Sequence, residues 1–179
     1  MGLPRFNEDS YAHFVTTKTY QGRRVFDDKE CCRILIDSLW FYARRYVFDL
    51  IAYCVMPDHV HCIIQWDVEK YPTLTISRIV QSIKSHSAKE IVAHQISGRR
   101  KPSLSPYGTA SESSRLPTGY EWTDYGNVHT PSTHRIWQPS FYDFNIYSEK
   151  KLRHKVEYIH WNPVRAGLCK RPEDWPWLA

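Results

Sequence analysis

The chain has 179 residues, 42% of them hydrophobic and 15% aromatic, which suits one well-cored domain and excludes a wholly disordered chain. A formal net charge of +5 favours a polyanionic partner without requiring one. No apolar run approaches the ~20 residues that span a bilayer, and Met1-Gly2-Leu3-Pro4-Arg5 opens no secretory leader. Five cysteines (Cys31, Cys32, Cys54, Cys62, Cys169) with no Cys-x-x-Cys pair indicate neither a disulfide framework nor a zinc knuckle. The expectation is a cytoplasmic protein with no membrane partner.

In chain order, His13 to Tyr20 is rich in β-branched and aromatic residues and predicts a strand. Gln21-Gly22-Arg23-Arg24 follows as a basic turn. Asp27 with Glu30 has the spacing of a capping box, with Phe26 as its staple, and the helix after it runs to about Arg45. Cys31, Leu35, Leu39 and Tyr42 share one stripe of that helix. Phe48 to Val55 is a second strand, apolar enough to be expected at the centre of a sheet. Met56-Pro57-Asp58 is a turn, and His59 to Trp66 the third strand.

A second amphipathic helix is expected over Leu74 to His94, with Ile76, Val80, Ile83 and Ile91 inward and Arg78, Lys84 and Lys89 outside. From about 95 to 134 the composition turns to Ser, Thr, Pro and Gly without period, including Arg99-Arg100-Lys101 and the aromatics Tyr107, Tyr120, Trp122 and Tyr125. Loops this long in compact domains are usually functional or disordered, and this one reads as a surface insertion. Ile136 to Asp143 predicts a strand or extended segment. A helix follows from about Ser148 to His160, ended or bent by Asn162-Pro163. The order β-α-β-β-α-(insertion)-β-α predicts one domain over 1–179: an α+β, ferredoxin-like split βαβ sandwich, its antiparallel sheet carrying helices on one face, plus a C-terminal helix.

The chemistry concentrates in two places. His59 and His61 are i and i+2 in a strand, so both imidazoles project from one face, roughly 7 Å apart along the chain. That spacing lets ring nitrogens converge on one metal ion, while Val60 and Cys62 point into a packed layer. Asp58 has the opposite parity and is not counted as a ligand. In the last helix Lys151, Lys155, Tyr158 and Asn162 stand at i, i+4, i+7 and i+11, on one stripe. A phosphate near Tyr158 would meet the two ammonium groups. Spacing alone leaves alternatives open: Tyr158 as a boundary aromatic, the lysines as a solvated face, and Asn162 as a helix-terminating residue.

Four blocks carry a resemblance: Met56-Pro57-Asp58-His59-Val60-His61-Cys62-Ile63-Ile64; Ile136-Trp137-Gln138-Pro139; Val156-Glu157-Tyr158-Ile159-His160-Trp161-Asn162-Pro163-Val164-Arg165-Ala166-Gly167-Leu168; and Pro172-Glu173-Asp174-Trp175-Pro176-Trp177. In this order they resemble the REP-associated tyrosine transposases, single-tyrosine transposases of the HUH superfamily. Only the segment at 95–134 departs from that pattern. The resemblance implies that His59 and His61 are metal ligands, that Asn162 takes the place of a third, helix-borne ligand, and that Tyr158 is the nucleophile. It further implies palindromic repeat DNA as the target, cleaved and rejoined through a 5′-phosphotyrosine.

A free phenol titrates near ~10, so a tyrosine nucleophile needs help at neutral pH. Imidazole with carboxamide and phosphate oxygens suits Mg²⁺ or Mn²⁺. Single-stranded or hairpin DNA is the expected partner, bound by a monomer or a homodimer. Lys18, Arg23, Arg24, Arg99, Arg100, Lys101, Arg165, Lys170 and Arg171, with Lys151 and Lys155, are candidates to track phosphates. Trp137, Phe141 and Trp161 are candidates to stack on bases. The alternatives are a hairpin-binding module without chemistry, a replication initiator or relaxase, and a metal-dependent hydrolase with water as nucleophile.

Overall fold

In the computed structural model the described residues are 11–97 and 135–179. The segment expected as a surface insertion, with its basic run Arg99-Arg100-Lys101, lies almost entirely outside them. Four strands, β1 (Ala12–Lys18), β2 (Phe48–Met56), β3 (His59–Trp66) and β4 (Tyr142–Ile146), and three helices, α1 (Lys29–Tyr46), α2 (Ile76–Ser97) and α3 (Glu149–Arg165), form the described architecture. The sheet order is β2-β3-β1-β4, and every described pairing is antiparallel. This is the split βαβ arrangement that the element order predicts.

The two faces of the sheet are covered differently. On one side α1 and α2 pack through Leu35, Leu39, Ile79, Ile83 and Ile91 onto Val15, Val55, Val60, Cys62 and Ile64. On the other, α3 sets Ile159, with Leu152 and Val156 beside it, against Phe14, Ala52, Cys54 and Ile63. Ile159 is fully buried, and burial of one such side chain contributes about 1.5–3 kcal/mol. The face under α1 and α2 also holds a polar pair: the His13 ring donates from Nδ1 to Asp143 at 3.0 Å and stacks on Trp66 at 5.1 Å between ring centres.

Several boundaries depart from the expectations. Asp28, not Asp27, caps α1, its carboxylate accepting from the backbone N–H of Glu30. Asp27 pairs instead with Arg24. The helix ends on Val47, which takes a left-handed φ of 55° and donates its N–H to the Ala43 carbonyl. β2 is an edge strand, not a central one. It reads as continuously apolar because both its faces are covered and because an irregularity between Leu50 and Ala52 shifts which residues face which layer. Its free edge is closed by the C-terminal segment: Tyr53 and Ala179 exchange both backbone hydrogen bonds, and Val55 donates to Trp177.

The fourth strand begins at Tyr142, downstream of the expected Ile136, and Trp137 makes only an isolated bridge to Thr19. Lys84, expected on the outside, is half-buried and donates to the Gln138 carbonyl at 2.6 Å, pinning this segment to α2. α3 does not stop at Asn162: Pro163 lies inside it, and the helix runs to Arg165. The proline removes a single N–H donor near the helix end, and the final carbonyls are taken by Ala166, Gly167 (φ 70°) and Leu168.

Candidate active site on the α3 face

The site is built where the β1–β3 pair meets α3. Thr16 lies opposite His61 and Lys18 opposite His59 in the β1–β3 register, so strand pairing sets the height of both imidazoles. The turn before His59 is held from outside the hairpin. Thr19, fully buried, donates its N–H to the Asp58 carbonyl at 2.8 Å and shares its hydroxyl between the carbonyls of Asp58 and Arg23. Phe26 donates to the Pro57 carbonyl.

The pleat turns His59 and His61 to the α3 face, as their spacing requires. Their Nε2 atoms stand 3.1 Å apart. Two ligands bound at ~2.1 Å and at right angles on a six-coordinate divalent ion would be about 3.0 Å apart, so the pair fits such an ion. His59 donates from Nδ1 to the Asp58 carboxylate at 2.6 Å, and His61 Nδ1 meets the Thr16 hydroxyl at 2.7 Å. Burial, then the charges of His59, Lys155 and Lys18, push the His61 imidazole down to about 3, so it is neutral near pH 7, the state a metal ligand needs.

Asp58 and Thr16 escaped the sequence reading for different reasons. Asp58 was set aside on strand parity, but it sits in the turn, where alternation does not apply. Thr16 is distant in sequence, and only the β1–β3 register brings it to His61.

Tyr158 completes the cluster. Its ring packs edge-on against His61 at 5.4 Å and against Phe14 at 5.8 Å, and Phe14 stacks on His61 at 5.4 Å. The tyrosine stays 36% exposed, so one side remains open to a ligand. Two cations flank it: Lys155 Nζ and the Arg165 guanidinium each lie 5.8 Å from the ring centre. Lys155 also sits over Phe14 at 4.3 Å, and burial, then Lys151, push its ammonium below the ordinary lysine range. Asn162 is half-buried, one helical turn beyond Tyr158 on the same face.

Other expected contacts go elsewhere. Lys151 is drawn to the Tyr147 hydroxyl and lies over the Tyr147 ring, about two helical turns before Tyr158. The Arg23 guanidinium binds the Arg135 carbonyl, Arg24 pairs with Asp27, and Arg171 with Asp174. Trp137 is buried, donating to the Ser87 hydroxyl at 3.1 Å, and Phe141 is buried too; neither is available to stack on a base. Trp161 is 42% exposed and is.

A second group of ligand-type atoms, from Asp28, Cys31 and His94, lies on the opposite layer, all within 4.8 Å of one another. One Asp28 oxygen caps α1 and the other accepts from His94 Nε2 at 2.9 Å. Burial, then Asp28 and Glu30, push the Cys31 thiol up to about 12. With its carboxylate committed and its thiol protonated, the group ties the start of α1 to the end of α2.

In sequence and in fold the chain is similar to known proteins. A REP-associated tyrosine transposase of Escherichia coli (strain K12) is 28% identical over 131 residues, covering 72% of this chain and 52% of that protein. A relative from Haemophilus influenzae is 23% identical over 136 residues, covering 75% of this chain and 60% of its own length. The chain thus spans between half and two thirds of these relatives. A solved REP-associated tyrosine transposase bound to a REP hairpin superposes with a TM-score of 0.63 at 21% identity, over 99% of this chain and 81% of that one, and supports the fold. No described helix is long and apolar enough to cross a membrane. The family described as "Transposase IS200 like" matches residues 7–105, more than half of the sequence and including both histidines; the chain belongs to this IS200-like transposase family, with the REP-associated tyrosine transposases among its relatives.

Proposed function

We propose that this chain is a metal-dependent single-strand DNA endonuclease and transposase that cleaves and rejoins hairpin-bearing, palindromic repeat DNA through a 5′-phosphotyrosine. The observation that carries the reading is the packing of Tyr158 on His61, with the two Nε2 atoms 3.1 Å apart beside it. Nucleophile and ligand pair share one partly open face. The whole chain acts as one domain with the 95–134 segment as an insertion. Its cysteines are free thiols, which supports a reducing cytoplasm, where DNA is at hand.

In this mechanism the Tyr158 oxygen attacks phosphorus in line with the 3′-oxygen. The P–O(Tyr158) bond forms as the phenol gives up its proton to solvent, the P–O3′ bond breaks, and the departing oxygen takes a proton from solvent to become a 3′-hydroxyl, so the step is proton-neutral. Lys155 and Arg165, each 5.8 Å from the ring centre, hold the charged phosphate against the phenol. A divalent ion, Mg²⁺ or Mn²⁺, held by His59, His61 and Asn162 would polarise a non-bridging phosphate oxygen. A phosphotyrosine keeps the energy of the phosphodiester, so attack by a second 3′-hydroxyl restores the strand and releases Tyr158 without a nucleotide cofactor.

The test is incubation of the protein with a labelled hairpin-bearing single strand and Mn²⁺ or Mg²⁺, followed by a denaturing gel and peptide mapping. A DNA adduct on Tyr158, absent after Tyr158→Phe or chelation, is the expected result. Tight binding without an adduct across several hairpin sequences would replace this reading with a binding module. Cleavage without an adduct would assign the attack to water.

A further inference from the structure

About 10 Å back along α3 from Tyr158, the same flank carries a second group of rings and cations. Tyr147, the residue before the Ser148 N-cap, is 57% exposed. Three neighbours hold its ring. Lys151 Nζ stands 3.6 Å from the ring centre and also reaches the hydroxyl, Tyr11 meets the ring edge-on at 6.4 Å, and Phe144 lies tilted at 6.4 Å. Phe144 in turn lies under both lysines, 5.5 Å from Lys151 Nζ and 4.8 Å from Lys155 Nζ. Lys155 links the group to Phe14 and Tyr158, and Arg165 follows on the Tyr158 ring. Rings and cations thus run together from Arg165 to Tyr147.

A lone exposed aromatic needs no explanation, but this run has the composition of a single-strand nucleic-acid site, where bases stack on rings and cations meet phosphates. The charges of α3 are sorted to match. At 3.6 residues per turn, Lys151, His154, Lys155, Tyr158 and Arg165 share this flank, while Glu149 and Glu157 fall on the other. Glu149 pairs there with Arg153. Among the described residues no carboxylate forms an ion pair with Lys151, Lys155 or Arg165. The flank also borders β4, an edge strand paired only with β1 among the described strands.

We infer that this flank seats the unpaired DNA strand leading to Tyr158, with Tyr147 as a base-stacking platform and Lys151 on a phosphate. The distance of about 10 Å spans roughly three nucleotides of a stacked strand. Stacking tolerates any base, so the seat orders the strand without reading its sequence. Tyr147 takes the part that the buried Trp137 and Phe141 cannot. The inference rests on the proposed role of Tyr158 as nucleophile, and its test separates the two.

The test is fluorescence anisotropy of a labelled oligothymidylate in chelator over a range of salt, so that binding is read apart from cleavage. Tyr147→Leu should weaken binding about tenfold with its salt slope unchanged, and Tyr147→Phe should bind as the wild type does. Lys151→Met should weaken binding and reduce the slope of log affinity against log salt by about 0.7. Melting temperature should stay constant in all three. Wild-type affinity in Tyr147→Leu, or an unchanged slope in Lys151→Met, would overturn the seat and leave adduct formation on Tyr158 intact. A Tyr147→Leu loss with the slope change of Lys151→Met would overturn the stacking role, leaving Tyr147 only to hold the lysine. A wild-type protein that binds through Tyr147 but forms no adduct on Tyr158 would keep the seat and overturn the nuclease reading. No binding by the wild type would overturn both.

Discussion

The two faces of the sheet are built to different ends. The face under α1 and α2 is a broad apolar layer that also holds paired polar groups, His13 with Asp143 and Trp137 with Ser87. The face under α3 is thinner, and beside its few buried residues it sets imidazoles, a phenol and two cations. Ionisable groups are costly in a thick core and tolerable where one helix leaves part of the surface open. The lesson is a division of labour: one side of the sheet supplies stability, and the other is left open enough for a charged substrate to reach it.

Four substitutions test that division. Tyr158→Phe should lower strand cleavage on the order of 10³-fold or more while leaving the melting temperature almost unchanged, since the hydroxyl supports no packing. A large loss of stability would show that the tyrosine is structural. Asp143→Ala, on the other face, should do the reverse. Removing one partner of a buried pair costs about 3–5 kcal/mol, read by urea denaturation, with Mn²⁺ affinity intact below the unfolding transition. A melting curve like that of the wild type would mean that the pair contributes nothing to the core.

Lys155→Met keeps the stem that covers Phe14 and removes the charge. Affinity for a single-stranded hairpin should fall roughly tenfold, and the slope of log affinity against log salt should shrink by about 1. An unchanged slope would mean that Lys155 meets no phosphate. The smallest effect is expected at Val47, a β-branched residue in the left-handed region at the end of α1. Val47→Gly should raise stability by about 1 kcal/mol without altering cleavage, and a loss of stability would show that the Val47 side chain contributes more than its strain costs.

Much of the site was legible because its geometry is local. A two-residue period in a strand is enough to put His59 and His61 on one side, and a helical period is enough to align Lys155, Tyr158 and Asn162. Lys151 shows where such reasoning stops: it has the right phase, but an aromatic neighbour at Tyr147 captures it. Trp137 and Phe141 show the same for exposure, because nothing in their local sequence says that α2 and the loop beside it close over them.

By itself, then, the sequence determined the order and kind of the elements, the hairpin carrying the histidines, and the helix carrying the tyrosine, all consequences of periodicities read within a few residues. Only the tertiary structure decided which strand is at the edge, that the C-terminal segment covers it, that Asp58 and Thr16 hold the two imidazoles, and that Arg165 joins Lys155 around Tyr158. Those outcomes depend on register and on packing between segments far apart in the chain, and no short-range pattern encodes either.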